Sequence, residues 1–158
     1  MNQLIGVDLG GSAIKLGRFS EAGDLLAELQ VPTPQPAVPG AVTTAIVAAV
    51  QQLDPERLAD RVGVGHPGPS DQASRVARNA INLPGWLDVP LANWLEPLLE
   101  RPVTLANDAN CALIGEHWLG AARGVGDVLL LTLGTGVGGA VLLDGQLFTG
   151  HRGAAAEP

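Results

Sequence analysis

Asn107, Asp108 and Asn110 fall within four residues of one another in the stretch TLANDANCAL (104–113), between apolar runs. An amide side chain both donates and accepts, which suits the hydroxyl groups of a ligand. A carboxylate here can cap the first N–H groups of a helix, or take a proton from a substrate hydroxyl within hydrogen-bond reach. A cap needs one polar residue, and three are present. On these residues alone both roles of Asp108 stay open.

Two glycine-rich loops lie on either side of this stretch. In DLGGSAIK (8–15), Gly10 and Gly11 permit positive φ and a close approach of backbone to a ligand. The N–H groups of such a turn, with the Ser12 hydroxyl, form a concavity for an anion. Asp8 cannot bind phosphate directly but can hold Mg²⁺ or its waters. The plain alternative is a tight hairpin with Asp8 capping the turn. In LGTGVGGAVLLDG (133–145), Gly134, Gly136, Gly138 and Gly139 fall within six residues around Thr135. That loop also reads as a phosphate loop or as a second hairpin. Neither matches the Gly-Lys-Ser/Thr helix start of a P-loop.

The elements that must position these groups follow from the patterning. LIGVDLG (4–10) is a short apolar run ending in Asp and Gly, a buried strand running into a turn. AIKLGRFS and LLAELQV are strands joined by a turn at Gly23 and Asp24, so the chain opens on an antiparallel meander. Residues 32–40 carry too many prolines for regular structure. Residues 41–53 have unbroken helical spacing. RVGVG is a fourth strand before a Gly/Pro loop containing His66, which reads as structural, although it could face a cleft. Residues 71–90 show little periodicity and read as an irregular loop carrying Trp86.

LANWLEPLL predicts a short helix despite Pro97, PVTLAN a fifth strand, and the segment from Asp108 to Ala121 a helix. The β-β-β-α-β-α-β-α order is then followed by a new strand, turn and strand. This predicts an N-terminal domain over residues 1–122 and the beginning of a similar one over 123–158, with the chain expected to be part of a longer polypeptide or to be completed by a partner. Cys111 reads as a small buried hydrophobe, His117 and Trp118 as helix-end packing and capping, and Arg75, Arg78 and Arg123 as solvated.

Composition narrows the ligand class. The 158 residues carry a net charge of −7 with nine Lys and Arg, so there is no basic surface for nucleic acid or an anionic membrane. Phosphate would have to be held mainly by backbone N–H groups and a metal ion. The one cysteine excludes an internal disulfide or a multi-cysteine metal site. The start lacks a signal-peptide pattern, and no apolar run reaches membrane-spanning length, so a cytoplasmic protein is expected.

Taken in order, GVDLGGSAIK, GVGHPGP, NLPGW, LANDANCALIGE, LTLGTGVGGAVLLDGQLFTG and GAAAEP resemble the ROK family of sugar kinases, with its bacterial glucokinases nearest. The resemblance covers essentially the whole chain. It implies the actin-like ATPase fold: α/β, ribonuclease H-like domains closing on a cleft, here a mixed five-stranded sheet with helices and the start of a second domain. It implies ATP and Mg²⁺ as cofactors, a hexose (glucose first) as substrate, and a homodimer. A structural zinc site is implied only for a longer chain.

The family's roles carry over residue by residue. Asp8, Gly10, Gly11 and Ser12 fall in the first phosphate loop, with Asp8 near Mg²⁺, and Thr135, Gly136, Gly138 and Gly139 in the second. Asp108 matches the catalytic base and Asn107 a ligand of sugar hydroxyls. Glu157 matches a residue that holds the sugar ring, and Gly85 lies in a loop near the sugar. Ser12 and Ala13 replace the usual Thr-Lys, a start also met in polyphosphate-using glucokinases, and Ala156 replaces Gly before Glu157. The family also includes sugar-responsive transcriptional repressors, whose DNA-binding domain precedes the first loop. Asp8 comes seven residues after Met1, so a repressor is not the expected reading of this sequence. The 158 residues alone are expected to be inactive, or to act as a non-catalytic sugar-binding fragment.

Overall fold

Alternating burial builds the first sheet. In the computed structural model, which describes residues 2–80, 82–133, 137–151 and 155–156, β1 (Gln3–Leu9), β2 (Ala13–Ser20) and β3 (Leu25–Pro32) form the expected meander. Helix α1 (Pro39–Leu53) crosses to β4 (Ala59–His66), which lies parallel to β1. Helix α2 (Leu91–Leu99) then leads to β7 (Val103–Asn107), parallel to β4, and α3 (Asp108–Leu119) follows directly. The order β3-β2-β1-β4-β7 gives the mixed five-stranded, ribonuclease H-like sheet that the sequence implies.

Each strand sends alternate residues to opposite faces. Ile5, Val7, Leu9, Val62, Val64, Val103 and Leu105 point to one face and pack against Val42, Ile46 and Val50 of α1 and Leu91, Leu95 and Leu99 of α2. Their i, i+4 and i, i+8 spacing puts the helical residues on single stripes. The opposite parity, with Gly6, Asp8, Gly63, Gly65, Thr104 and Ala106, faces a groove beneath α3.

Several boundaries differ from expectation. Residues 71–90 are not wholly irregular, because β5 (Ala77–Asn79) pairs antiparallel with β6 (Leu87–Val89). Three-residue strands are too short to show a period of two. Trp86 anchors this region through its Nε1–H, which donates to the Ala37 carbonyl at 2.7 Å. Helix α1 starts two residues earlier than expected, with Pro39 in its first turn, where a missing N–H costs nothing. Helix α3 stops at Leu119, not Ala121, because the Glu116 side chain turns back to accept the Ala121 N–H at 2.8 Å. Arg75 is not merely solvated: its guanidinium binds Glu96, Asn93 and the Val103 carbonyl. Arg78 pairs with Asp88 at the surface.

Beyond α3, β8 (Val128–Leu133), β9 (Val137–Leu143) and β10 (Gln146–Phe148) form a separate antiparallel sheet. Its inner face, with Ala140 and Leu142, packs on Ala109 and Leu113 of α3, while Leu129, Leu131 and Leu133 are exposed.

Candidate active site

The carboxyl ends of parallel strands are where α/β sheets bind ligands, because side chains and helix N-termini converge there. Here β1 ends after Asp8, β4 at His66 and β7 at Asn107, with His66 and Asn107 as register partners. The groove beneath α3, about 810 Å³, lies beside these ends, and its polar lining includes Asp8, Lys15, Asp108, Cys111 and Thr132. Phe19, Leu25 and Glu28 also line it.

Asp108 is the first residue of α3, and the cap is Asn107 rather than Asp108. The Asn107 Oδ1 accepts the Asn110 N–H at 3.0 Å, and its Nδ2 donates to the Gly68 carbonyl at 3.1 Å. Asn107 is therefore buried, at 2% exposure, and engaged by the chain itself. Asp108 is exposed. A negative charge in the first helical turn is favoured by the helix dipole, so this carboxylate is held at the groove at little cost.

Asp8 faces the same groove. Its pKa is raised by partial burial; Lys15, its cross-strand partner, pulls it down, and the Asp108 carboxylate pushes it up. The two carboxylates thus feel each other, and a cation between them would relieve that repulsion. Among the described residues no group of three or more His, Cys, Asp or Glu could hold a metal. Mg²⁺ requires no such cluster, since it keeps several waters and takes one or two carboxylates plus phosphate oxygens. Asp8 fits that donor set.

The first glycine loop is a hairpin, but an organised one. Gly10 and Gly11 do not use the positive φ open to them. Gly10 is required for another reason: a Cβ there would lie 2.8 Å from the Ala13 carbonyl oxygen, which accepts the Gly10 N–H at 3.0 Å. The turn's carbonyls are drawn toward the end of β3. Thr33 Oγ1 donates to Gly10 O at 2.7 Å, Gln35 Nε2 to Gly11 O at 3.1 Å, and the Thr33 N–H to Ser12 O at 3.0 Å. With these oxygens satisfied, the Gly11 and Ser12 N–H groups lie outside the bonds that close the turn. Thr33 and Gln35 carry no signal in the sequence, because they sit in a proline-rich segment with no periodicity.

The other expected residues fare differently. Thr135, Gly136 and Glu157 lie outside the described residues. Gly138 and Gly139 belong to β9, not to a turn. A Cβ on Gly138 would lie 2.6 Å from Thr132 Oγ1, and one on Gly139 2.7 Å from the Ala156 carbonyl, so the close approach comes from the chain itself. Gly85 has φ +78° and sits beside Pro39 at the start of α1, and it does not line the groove. Cys111 is exposed rather than buried in the core. It lines the groove, where partial desolvation and the nearby Asp108 and Asp8 carboxylates push its thiol up to about 11.

Residues 4–158 match the ROK family. The chain belongs to the ROK family. This ROK chain is 39% identical over 155 residues to the glucokinase of Thermotoga maritima, covering 98% of the chain and 49% of that protein. A ROK family glucokinase from Streptomyces griseus, solved in complex with glucose and AMPPNP, superposes with a TM-score of 0.92 at 36% identity over 99% of this chain and 49% of that one. The inorganic polyphosphate/ATP-glucomannokinase from Arthrobacter sp. strain KM superposes with a TM-score of 0.84 at 39% identity, over 99% and 67%. The chain spans about half the length of the curated relatives it matches. The fold is that of the actin-like ATPases. Among the described residues no helix is long and apolar enough to cross a membrane.

Proposed function

We propose that this ROK chain carries one wall of a sugar kinase active site that transfers the γ-phosphoryl group of ATP to a hexose hydroxyl, with the 6-hydroxyl of glucose as the first candidate. The observation that carries the reading is Asp108 at the start of α3, held by the Asn107 cap and facing the same groove as Asp8. Asp108 takes the proton of the attacking hydroxyl as that oxygen bonds to the γ-phosphorus and the bond to the bridging oxygen breaks, releasing ADP. Mg²⁺, held by Asp8 directly or through water, supplies neutralisation of the phosphate charge when bound. The Gly10–Ser12 turn, with Thr135 and Gly136 of the second loop, positions the phosphates, and closure of the two walls excludes water.

Asn107 acts first on the position of Asp108. Its contact with a sugar hydroxyl, like that of Glu157, rests on the family resemblance. Residues 1–122 form the first domain and residue 123 begins the second, and the active assembly is a homodimer with cytoplasmic substrates. The kinship with a glucomannokinase that uses polyphosphate or ATP keeps mannose and polyphosphate as alternatives in the same site.

The test is a coupled assay of the polypeptide containing both walls, with ATP or polyphosphate against glucose, mannose, fructose and N-acetylmannosamine. Asp108→Asn should abolish turnover while sugar binding stays measurable by calorimetry. Turnover near the wild-type rate in that variant refutes the assignment of the base.

A further inference from the structure

His66 is fully buried, at 0% exposure, although it ends a strand at the candidate site. Its Nδ1 lies 2.9 Å from the Pro67 carbonyl oxygen. A carbonyl only accepts, so Nδ1 carries the proton. A ring buried this completely is favoured in its neutral form, in which Nε2, 2.8 Å from Ser70 Oγ, accepts the serine hydroxyl. Burial, which pushes its pKa down, agrees with this state.

These two bonds close residues 66–70 on themselves. Ser70 is in turn bridged to Ala77 at the start of β5, so the turn is anchored at its far end. At its middle, Gly68 has φ +78°, and any side chain there would run into the Asn79 carbonyl. The Gly68 carbonyl is thereby aimed at Asn107, whose Nδ2 donates to it at 3.1 Å. The other end of the Asn107 amide caps the helix that begins with Asp108.

We propose that His66 is a positioning residue for Asp108: a neutral imidazole that locks the Pro67–Ser70 turn, which fixes Asn107 and through it the first turn of α3. It touches neither sugar nor phosphoryl donor. This role rests on the kinase reading above. The carbonyls of the donor loop at residues 10–12 are held by Thr33 and Gln35, not by residues 66–70, so the lock bears on Asp108 more than on donor binding.

Two variants test it in the polypeptide that phosphorylates sugar. Ser70→Ala removes the donor to Nε2 and leaves the ring in place; His66→Asn keeps a donor near Pro67 and loses the acceptor. Each lowers kcat about tenfold or more, while KM for the phosphoryl donor stays within about twofold. The double variant loses no more than the worse single one, because both break the same hydrogen bond. His66→Gln, whose amide oxygen reaches the Nε2 position, recovers part of kcat. Circular dichroism identifies the variants that stay folded, and Ser70→Ala carries the test if the His66 variants do not. In the 158-residue chain, nitrogen-15 spectra of the imidazole show the neutral Nδ1–H tautomer. Wild-type kcat in folded Ser70→Ala, or an Nε2–H tautomer, overturns the role. If the wild-type polypeptide phosphorylates no sugar, the kinase reading fails and the role falls with it.

Discussion

Asp54 offers the sharpest test of what holds the site-bearing sheet together. Its side chain is wholly buried, at 0% exposure, at the end of the sheet away from the groove. It accepts the Leu58 and Ala59 N–H groups at 2.9 and 3.1 Å, Arg18 at 3.2 Å and Arg101 at 2.7 Å. One carboxylate thus ties β2, the end of α1, the start of β4 and the entry to β7. Asp54→Asn keeps the shape but leaves the Arg101 guanidinium, 8% exposed, without its counter-charge. Breaking a buried pair from one side costs about 3–5 kcal/mol. For a chain of this size, at about 2–4 °C per kcal/mol, Tm should fall by roughly 6–20 °C.

The pH dependence adds a second signature. Burial opposes ionisation of Asp54, but Arg101 and the Ala59 and Leu58 N–H groups outweigh it, so its folded pKa lies below the ordinary 3.8. A depressed carboxylate contributes stability that is full above its unfolded pKa and is lost as pH falls through the folded value. The gap between wild type and Asp54→Asn should therefore be constant from pH 7 to about 5 and narrow below about 4. Urea titrations followed by tryptophan fluorescence, with Trp86 in the core as reporter, measure both effects. A loss under about 1 kcal/mol at pH 7 with an unchanged m-value refutes the argument that this buried pair is structurally required.

Two further outcomes follow from the site. Asn107→Ala removes the cap of α3 and should cost about 1 kcal/mol, read as roughly fivefold faster amide exchange at Asn110; unchanged exchange there would show that the helix does not depend on its cap. The Cys111 thiol, moved from 9.0 to about 11, should hold about a hundredfold less thiolate at neutral pH than an ordinary cysteine. Iodoacetamide should label it correspondingly slowly, and faster in Asp8→Asn, where one of the repelling carboxylates is gone. Labelling at the rate of free cysteine contradicts that account.

Much of this was legible in the residues. The meander, the two crossover helices and the strand leading into Asp108 follow from alternation, helical spacing and turn residues, all of which act within a few positions. β5 and β6 were not legible, because three-residue strands carry no period and are held by Trp86 reaching Ala37, 49 residues away in sequence. Cys111 misled because its type favours burial, whereas its place on α3 turns it into the groove.

The sequence by itself determined the residue types on which the proposed chemistry rests: two glycine-rich segments, an acidic helix start, and few cations. Only the tertiary structure decided the division of labour. It made Asn107 the cap and left Asp108 facing the groove, and it assigned Gly138 and Gly139 to the chain's own packing. It also brought Thr33 and Gln35 to the carbonyls of the first loop and closed His66 onto Ser70. The cap and His66 bonds are local, but their consequence for Asp108 runs through Gly68, 39 residues from Asn107. The Thr33 and Gln35 contacts likewise span 23 and 24 residues. Contacts over such distances arise from how strands and turns are stacked, and no local pattern of residue types encodes them.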